Sequence, residues 1–183
     1  ENGVVPPKKL MSLRGQRSGE LSRLNESHKI AYVFAQAKKD IAAGKKVVII
    51  AEGINETEIK GLGKKVPGFI GEIEAMFAKE GIRVAKIYGN NDKAQANREF
   101  QEGDVQVVIG TAKSASTGID LDDQIGDAPR KLYMVTPNYS GNTFQQILGR
   151  VSRRNTKSAA EVELVFNDSS SDTRRKEIVG NKL

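Results

Sequence analysis

Short apolar segments that alternate with segments of helical periodicity constrain the fold more than any other feature of this sequence. Residues 47–50 and 105–109 are nearly continuous apolar runs, without the polar residue at every second position that a half-exposed strand would show. Strands that are apolar on both faces are typical of a parallel sheet covered by helices on both sides. The helical segments between them can supply the right-handed crossovers that parallel strands require.

The sequence pattern therefore predicts an α/β domain with a mainly parallel sheet and helices on both faces. The predicted strands span residues 46–51, 83–88, 105–109, 131–135 and 161–166, and the main predicted helices span residues 27–43, 69–80, 92–101, 142–152 and 172–183. Ligands of such sheets bind beyond the carboxyl ends of the strands. The loops that begin at Glu52, Gly89, Gly110 and Thr136 are therefore the first places to look for a site.

The two ends of the chain differ from this regular pattern. Residues 1–26 are rich in proline, glycine and basic residues, so we expect an irregular basic arm or linker there. Residues 27–183 form the expected domain, with a terminal extension from about residue 167.

Composition excludes several classes of function. The chain has no cysteine and one histidine, His28, so we expect no metal site, and neither a disulfide nor a set of paired catalytic histidines can form. No apolar run approaches the roughly 20 residues of a membrane span, and the first residues do not resemble a secretory signal. We expect an intracellular protein, in the cytoplasm, nucleoid or nucleus. The net charge of +6 permits, without requiring, contact with a nucleic acid.

The chain lacks a complete nucleotide site of its own. A phosphate-binding loop of the form G-x-x-x-x-G-K-[ST] is absent, and no acidic D-E-x-D or D-E-x-H run follows a strand to hold magnesium. Gly44-Lys45-Lys46 precedes a strand and has no following hydroxyl residue. Any ATP chemistry therefore needs groups from another domain.

Residues 146–153 contain two arginines, Arg150 and Arg153, that are three positions apart at the end of a predicted helix. This spacing places both guanidinium groups on one face, where they can make bidentate contacts with a polyphosphate. The adjacent Gly149 allows close approach of a ligand or another backbone. A solvated basic helix end, stabilised by the helix dipole, is the alternative interpretation.

Residues 107–120 run from a buried strand into a loop that is dense in hydroxyl groups and small side chains. Backbone amides and hydroxyls in such a loop can hold phosphates, and Asp120 can accept hydrogen bonds from ribose hydroxyls. Taken alone, these residues fit an ordinary polar loop between a strand and a helix better than a phosphate site.

The two segments together resemble motifs V and VI of superfamily 2 helicases and translocases. Residues 146–153 match the motif VI form Q-x-x-G-R-x-x-R at each defined position, and residues 111–120 resemble motif V, T-x-x-x-x-[x]-G-[IL]-D. Residues 47–53 are similar to motif IV. The distance from Thr111 to Gly118 is one residue longer than the commoner helicase spacing. The residues after motif VI are similar to strawberry-notch-like helicases and, more loosely, to Swi/Snf-type translocases.

The resemblance implies a RecA-like C-terminal domain that works with an N-terminal RecA-like motor domain of the same protein. ATP with Mg²⁺ would be bound mainly by that other domain. The nucleic acid along which the motor moves would be DNA or RNA. Arg153 resembles the arginine finger, Arg150 a second phosphate contact, and Gln146, Gly118 and Asp120 further nucleotide contacts. Thr111 resembles a nucleic-acid contact at the start of motif V, and we expect Lys113, in the same loop, to contact nucleic acid as well.

Two other classes of function remain open at this stage. One is a nucleic-acid-binding α/β module without motor activity, in which the arginines only contact phosphates. The other is a free-standing α/β enzyme or small-molecule binder. For an enzyme, Asp122 and Asp123 are the nearest candidate acids, but we expect adjacent loop carboxylates such as these to be solvated.

Overall fold

The computed structural model describes residues 7–60, 62–137 and 141–181. Its strands are β1 (Lys46–Ile50), β2 (Thr57–Ile59), β3 (Lys64–Val66), β4 (Val84–Ile87), β5 (Val107–Gly110), β6 (Arg130–Met134) and β7 (Ala160–Leu164). Its helices are α1 (Pro7–Ser27), α2 (Ile30–Ala42), α3 (Phe69–Lys79), α4 (Lys93–Glu102), α5 (Ala112–Ala115), α6 (Gly141–Val151) and α7 (Ser170–Gly180). The strands and helices predicted after residue 27 are all present, with ends shifted by a few residues.

Five of the strands form one sheet in the order β4-β5-β1-β6-β7, and every neighbouring pair in it is parallel. The central strand β1 is buried along its whole length. Its register pairs Val47 with Val107 on one side and Ile49 with Tyr133 on the other. The predicted parallel α/β fold is therefore confirmed.

The two faces of the sheet are covered by different helices, because successive strand residues point to opposite sides. Val48 and Ile50 belong to one hydrophobic core, to which α4 and α6 contribute Phe100 and Ile147. Val47 and Ile49 belong to the other core. Helices α2 and α3 contribute to that second core the residues Ile30, Val33, Ala37, Phe69, Ile70, Ile73 and Phe77.

Local sequence signals explain where the crossover helices begin and end. Helix α2 ends before Gly44, whose φ of 80° is a left-handed conformation that glycine adopts without steric cost. Helix α4 begins after Asp92, whose Oδ1 accepts hydrogen bonds from the Ala94 and Gln95 amides at 2.9 and 3.0 Å. A carboxylate at this position satisfies amides that have no partner inside the helix.

The irregular arm expected over residues 1–26 is wrong for residues 7–26, which are helical, whereas residues 1–6 lie outside the described part of the chain. Gly15 and Gly19 lower the intrinsic helix propensity of this segment, and tertiary contacts near its end offset that cost. Arg175 donates to the Ser22 hydroxyl at 3.1 Å, and Glu26 accepts from the Glu52 amide at 2.9 Å. The domain boundaries stay predictions, with residues 182–183 also outside the described part.

The connection between β1 and α3 contains a short antiparallel hairpin. Strands β2 and β3 pair Thr57 with Val66 and Ile59 with Lys64. The buried Ile59 anchors this hairpin, and α1 packs against both of its strands.

The carboxyl ends of β1, β5 and β6 meet at one edge of the sheet, which positions the candidate site. The Ala51 amide donates to the Gly110 carbonyl at 3.0 Å, and the Val135 amide donates to the Ile50 carbonyl at 2.9 Å. The loops that begin at Glu52, Gly110 and Thr136 therefore start side by side.

Candidate functional site

Arg150 and Arg153 converge on a single carboxylate, that of Asp120. The Arg153 Nη2 atom forms an ion pair with Asp120 Oδ1, and Arg150 Nη1 lies 3.7 Å from the same oxygen. The side chains of Arg150 and Arg153 are 30% and 35% exposed, so an incoming anion can reach both. The structure thus brings together the paired arginines of one predicted motif and the aspartate of the other.

Arg153 lies beyond the helix that was expected to carry it. Helix α6 ends at Val151, so the prediction that both arginines sit on one helix is wrong for Arg153. The Arg153 Nε atom donates to the Gly149 carbonyl at 3.2 Å, which folds the side chain back over the helix end. The carbonyl of Arg150 also accepts a hydrogen bond from the Leu121 amide at 2.9 Å. These contacts, together with the shared Asp120 carboxylate, keep both guanidinium groups on one face.

Asp122 and Asp123 are buried, so the expectation that they are solvated is wrong. They are 3% and 0% exposed. Asp123 Oδ1 accepts hydrogen bonds from the Gly126 and Asp127 amides at 2.7 and 3.3 Å and lies 3.7 Å from Arg130 Nη2. Asp122 Oδ1 has no hydrogen-bond partner in the described structure and lies 3.9 Å from Arg153 Nε. Asp123 therefore stabilises the turn that reaches Asp127, and Asp122 places a buried carboxylate beside Arg153.

The other predicted nucleotide contacts lie near this arginine group. Gly118 has a φ of 65°, and an added Cβ would meet no atom within 4 Å, so glycine is required there by backbone conformation and not by crowding. Gln146 is exposed on α6, and no hydrogen bond joins it to another described residue. Its placement leaves the amide free to contact a ligand or a second domain.

Thr111 and Lys113 lie at the carboxyl end of β5, where the chain enters α5. The Thr111 hydroxyl caps this short helix by accepting from the Ser114 amide at 3.4 Å, and it donates to the Ser114 hydroxyl at 3.1 Å. Lys113 is exposed, and its ammonium has no ion-pair partner among the described residues. No hydrogen bond or ion pair between described residues joins Thr111 or Lys113 to the Arg150–Arg153 group.

Glu52 links the end of β1 to the start of α5, because its Oε1 atom accepts a hydrogen bond from the Ala112 amide at 3.1 Å. Glu26 of α1 accepts from the Glu52 amide and from the Thr136 hydroxyl, and it pairs with Arg23 at 3.2 Å. Burial raises the pKa of the Glu52 carboxyl above its ordinary value, and the nearby Glu26 charge adds to that increase. The end of helix α1 therefore contacts the loops at the carboxyl edge of the sheet.

A polar cavity of about 430 Å³ opens at this edge, between α1 and the loops after β1, β5 and β6. Lys113 and Arg175 line it together with the carboxyl group of Glu52. The hydroxyl-bearing residues of its wall are Ser18, Ser22, Ser116, Thr136 and Thr143. The exposed Lys113 ammonium and the hydroxyls of this wall can donate hydrogen bonds to an anionic group such as a backbone phosphate.

Sequence reasoning missed the residues that connect these loops from a distance. Gln101, Glu26 and Arg130 each make contacts with residues far along the chain, and no spacing rule relates the partners. One available signal was the polar Gln101, next to the apolar Phe100, on a helix that must cover the sheet. A buried polar residue at such a position requires partners.

Among residues 7–60, 62–137 and 141–181, no group of three or more acidic, histidine or cysteine side chains is arranged to hold a metal ion. No helix in the same ranges is both long and apolar enough to span a bilayer.

The parallel sheet, its helices on both faces and the loops at its carboxyl edge define a RecA-like α/β domain. Two solved structures share this fold. A structure of the C-terminal part of the Fun30 ATPase domain is 14% identical, with a TM-score of 0.52, over 76% of this chain. A structure of the E. coli DEAD-box protein SrmB, bound to regulator of ribonuclease activity A, is 21% identical, with a TM-score of 0.57, over 86% of this chain.

The extent of these likenesses differs between the two structures. The match spans 40% of the Fun30 chain and 80% of the SrmB chain. The sequence matches no protein-family model and no curated protein. Identities at this level show a shared fold, and the function has to be argued from the site.

Proposed function

We propose that this chain is the C-terminal RecA-like domain of an intracellular, ATP-dependent nucleic-acid helicase or translocase. The observation that carries this proposal is the convergence of Arg150 and Arg153 on the carboxylate of Asp120. The fold likeness to a part of the Fun30 ATPase domain and to a DEAD-box protein supports it. Within superfamily 2, the residues after motif VI favour a strawberry-notch-like or Swi/Snf-type protein.

The arginine pair has the chemistry to bind a triphosphate at the boundary with a second domain. Both guanidinium groups stay charged at any working pH, and their forked donors match phosphate oxygens. Asp120 supplies a single negative charge to two cations, so the pair keeps a net positive charge and its remaining N–H donors can bind a triphosphate. Arg153 would then contact the γ-phosphate and Arg150 a neighbouring oxygen, while Gly118, Asp120 and Gln146 line the nucleotide.

Most of the ATP site must come from an N-terminal RecA-like domain. The chain has no phosphate-binding loop, and its described residues hold no acidic cluster for Mg²⁺. Closure of the two domains on ATP would bring the arginines onto the phosphates, and hydrolysis would reopen the cleft. The isolated chain is therefore expected to have no ATPase activity.

The nucleic acid is proposed to run along the carboxyl edge of the sheet, past Thr111 and Lys113. The exposed Lys113 ammonium and the hydroxyl-rich cavity beside it are suited to a phosphate backbone. Such contacts carry no base specificity, as a motor that moves along any sequence requires.

The decisive experiment substitutes Arg153 in the complete two-domain protein. A finger arginine typically contributes roughly 10³–10⁵ in rate, so Arg153→Ala should nearly abolish ATP hydrolysis with little change in Tm or nucleic-acid binding. Arg153→Lys should restore little of the ATP hydrolysis that Arg153→Ala loses, because one ammonium cannot reproduce the forked donors. The neighbouring Arg154 is exposed and makes no ion pair with another described residue, so Arg154→Ala is the matched control. Turnover within a few-fold of wild type for Arg153→Ala would contradict the proposal.

A further inference from the structure

Gln101, near the end of α4, uses its buried amide to hold the loop that carries Asp120 and Asp122. The residue is 5% exposed. Its Nε2 atom donates to the Asp120 carbonyl and to the Asp122 carbonyl, each at 2.8 Å. Its Oε1 atom accepts a hydrogen bond from Arg130 Nη2 at 3.2 Å. Both amide protons and the carbonyl oxygen of Gln101 therefore have partners.

The two residues whose carbonyls Gln101 holds are the same two whose carboxylates face Arg153. Asp120 Oδ1 pairs with Arg153 Nη2, and Asp122 Oδ1 lies 3.9 Å from Arg153 Nε. Leu121, between them, donates its amide to the Arg150 carbonyl. The three-residue segment is thus held from one side by Gln101 and contacts the arginine pair from the other.

Arg130 fixes Gln101 itself. The Arg130 side chain is fully buried, and its Nη1 atom donates to Asp127 Oδ1 at 3.0 Å and to the Ala128 carbonyl at 2.8 Å. Its guanidinium carbon lies 5.0 Å from the centre of the Phe100 ring. A side chain held on several sides cannot rotate to release the Gln101 oxygen, so the amide keeps one orientation.

We propose that Gln101 is a positioning residue for Arg153, a role that rests on the proposed function of the arginine pair. By fixing the carbonyls of Asp120 and Asp122, it fixes the direction of the two carboxylates that orient the guanidinium. Loss of the amide donors frees this segment, and the guanidinium then occupies several orientations of which few suit a phosphate. A displacement of about 1 Å in a catalytic group can lower a rate by roughly 100-fold.

The test measures ATP turnover by the complete two-domain protein, with single-stranded DNA and, separately, single-stranded RNA present. Gln101→Met keeps a similar side-chain length and removes both donors. We expect kcat to fall roughly 10- to 100-fold while the KM for ATP changes less than twofold. Gln95→Met, at an exposed position of the same helix, is the control and should leave kcat unchanged.

A double mutant separates a positioning role from a merely structural one. When Arg153 is already alanine, its orientation no longer matters, so adding Gln101→Met should cause no further loss of kcat. Losses that multiply in the double mutant would overturn the inference, as would normal kcat for Gln101→Met. Gln101→Glu, which keeps an acceptor for Arg130 and removes the amide donors, is expected to show the same loss. It tests the inference in the same way where the Met variant is unstable.

Failure of this inference can be told apart from failure of the proposed function. Normal turnover for Arg153→Ala contradicts the arginine-finger role and with it the role of Gln101. Lost turnover for Arg153→Ala together with normal turnover for both Gln101 variants contradicts only the positioning role.

Discussion

Lys29 and Asp172 form a buried ion pair that joins the start of α2 to α7. Their side chains are 2% and 0% exposed. The Lys29 ammonium also donates to the Val135 carbonyl at 2.7 Å and to the Val165 carbonyl at 2.8 Å. Burial lowers the pKa of Lys29, and the hydrogen bond and charge of Asp172 oppose that decrease. The pair connects the predicted terminal extension to the carboxyl ends of β6 and β7.

Removing this ammonium should destabilise the fold far more than removing an exposed one. Lys29→Met leaves Asp172 buried with Arg175 at 2.8 Å as its remaining cation, and breaking a buried pair costs about 3–5 kcal/mol. The control is Lys38→Met, because Lys38 and Glu80 form a pair at 2.9 Å with side chains 40% and 46% exposed. The control should change the free energy of unfolding by less than about 1 kcal/mol. Urea denaturation of both variants checks the difference, and equal effects would contradict it.

Glu52 should make the stability of the protein depend on pH in a definite direction. Its pKa is raised in the folded state, so the folded chain binds a proton at Glu52 more readily than the unfolded chain does. The charged carboxyl therefore costs stability above the raised pKa, and that cost disappears as the pH falls below the ordinary value.

The matched substitution is Glu52→Gln, whose amide oxygen can still accept from Ala112. We expect Glu52→Gln to be more stable than wild type at neutral pH, and the difference to vanish in acid. Thermal unfolding across pH measures this difference, and Glu58→Gln, at an exposed position of β2, controls for the change in net charge. A difference that grows as the pH falls would show that the direction is wrong.

Two glycines should respond oppositely to alanine. A Cβ on Gly110 would lie 2.3 Å from Ile87 Cγ1 and 2.8 Å from Cδ1, within a buried core. Overpacking of this kind costs about 1–3 kcal/mol. A Cβ on Gly149, in α6, would meet no atom within 4 Å, so Gly149→Ala should stabilise the chain by about 0.4–1 kcal/mol. Denaturant midpoints of the two variants check the prediction. A Gly110→Ala variant with the same free energy of unfolding as wild type would contradict the packing argument.

Lys113 should contribute one phosphate contact to nucleic-acid binding. Lys113→Ala is expected to weaken binding of any sequence and to reduce the slope of log K against log salt by about one unit. Lys79→Ala removes the same charge from an exposed position at the end of α3 and should leave the slope unchanged. The measurement is a salt titration of the two-domain protein with labelled single-stranded oligonucleotides. An unchanged slope for Lys113→Ala would exclude Lys113 from the contacts.

Thr111 is a less direct probe of the same surface. Its hydroxyl caps α5, so Thr111→Ala removes a helix cap, which costs about 1 kcal/mol, in addition to any phosphate contact. Lys113 has no such structural contact in the described part of the chain, which makes its substitution easier to interpret.

Local pattern was sufficient to predict the layers of this fold and the shared face of Arg150 and Arg153, whereas their pairing with Asp120 was not predicted. Residues 47–50 indicated a strand buried on both faces, because hydrophobic periodicity is set by the geometry of a few neighbouring residues. The spacing of Arg150 and Arg153 indicated a shared face for the same reason, and both contact Asp120. Sequence spacing could not show that α6 ends before Arg153.

Contacts between residues far apart in the sequence determined the features of the structure that local pattern did not predict. The strand order β4-β5-β1-β6-β7, the burial of Asp122 and the helical state of residues 7–26 each depend on partners that are far along the chain. Gly15 and Gly19 made α1 look irregular, and contacts such as that between Glu26 and Glu52 override their low propensity. Local propensities amount to about 1 kcal/mol per residue or less, whereas a buried polar group without its partner costs about 1–3 kcal/mol. Tertiary contacts therefore decided the burial of Asp122 and the helical state of residues 7–26 against the local signal.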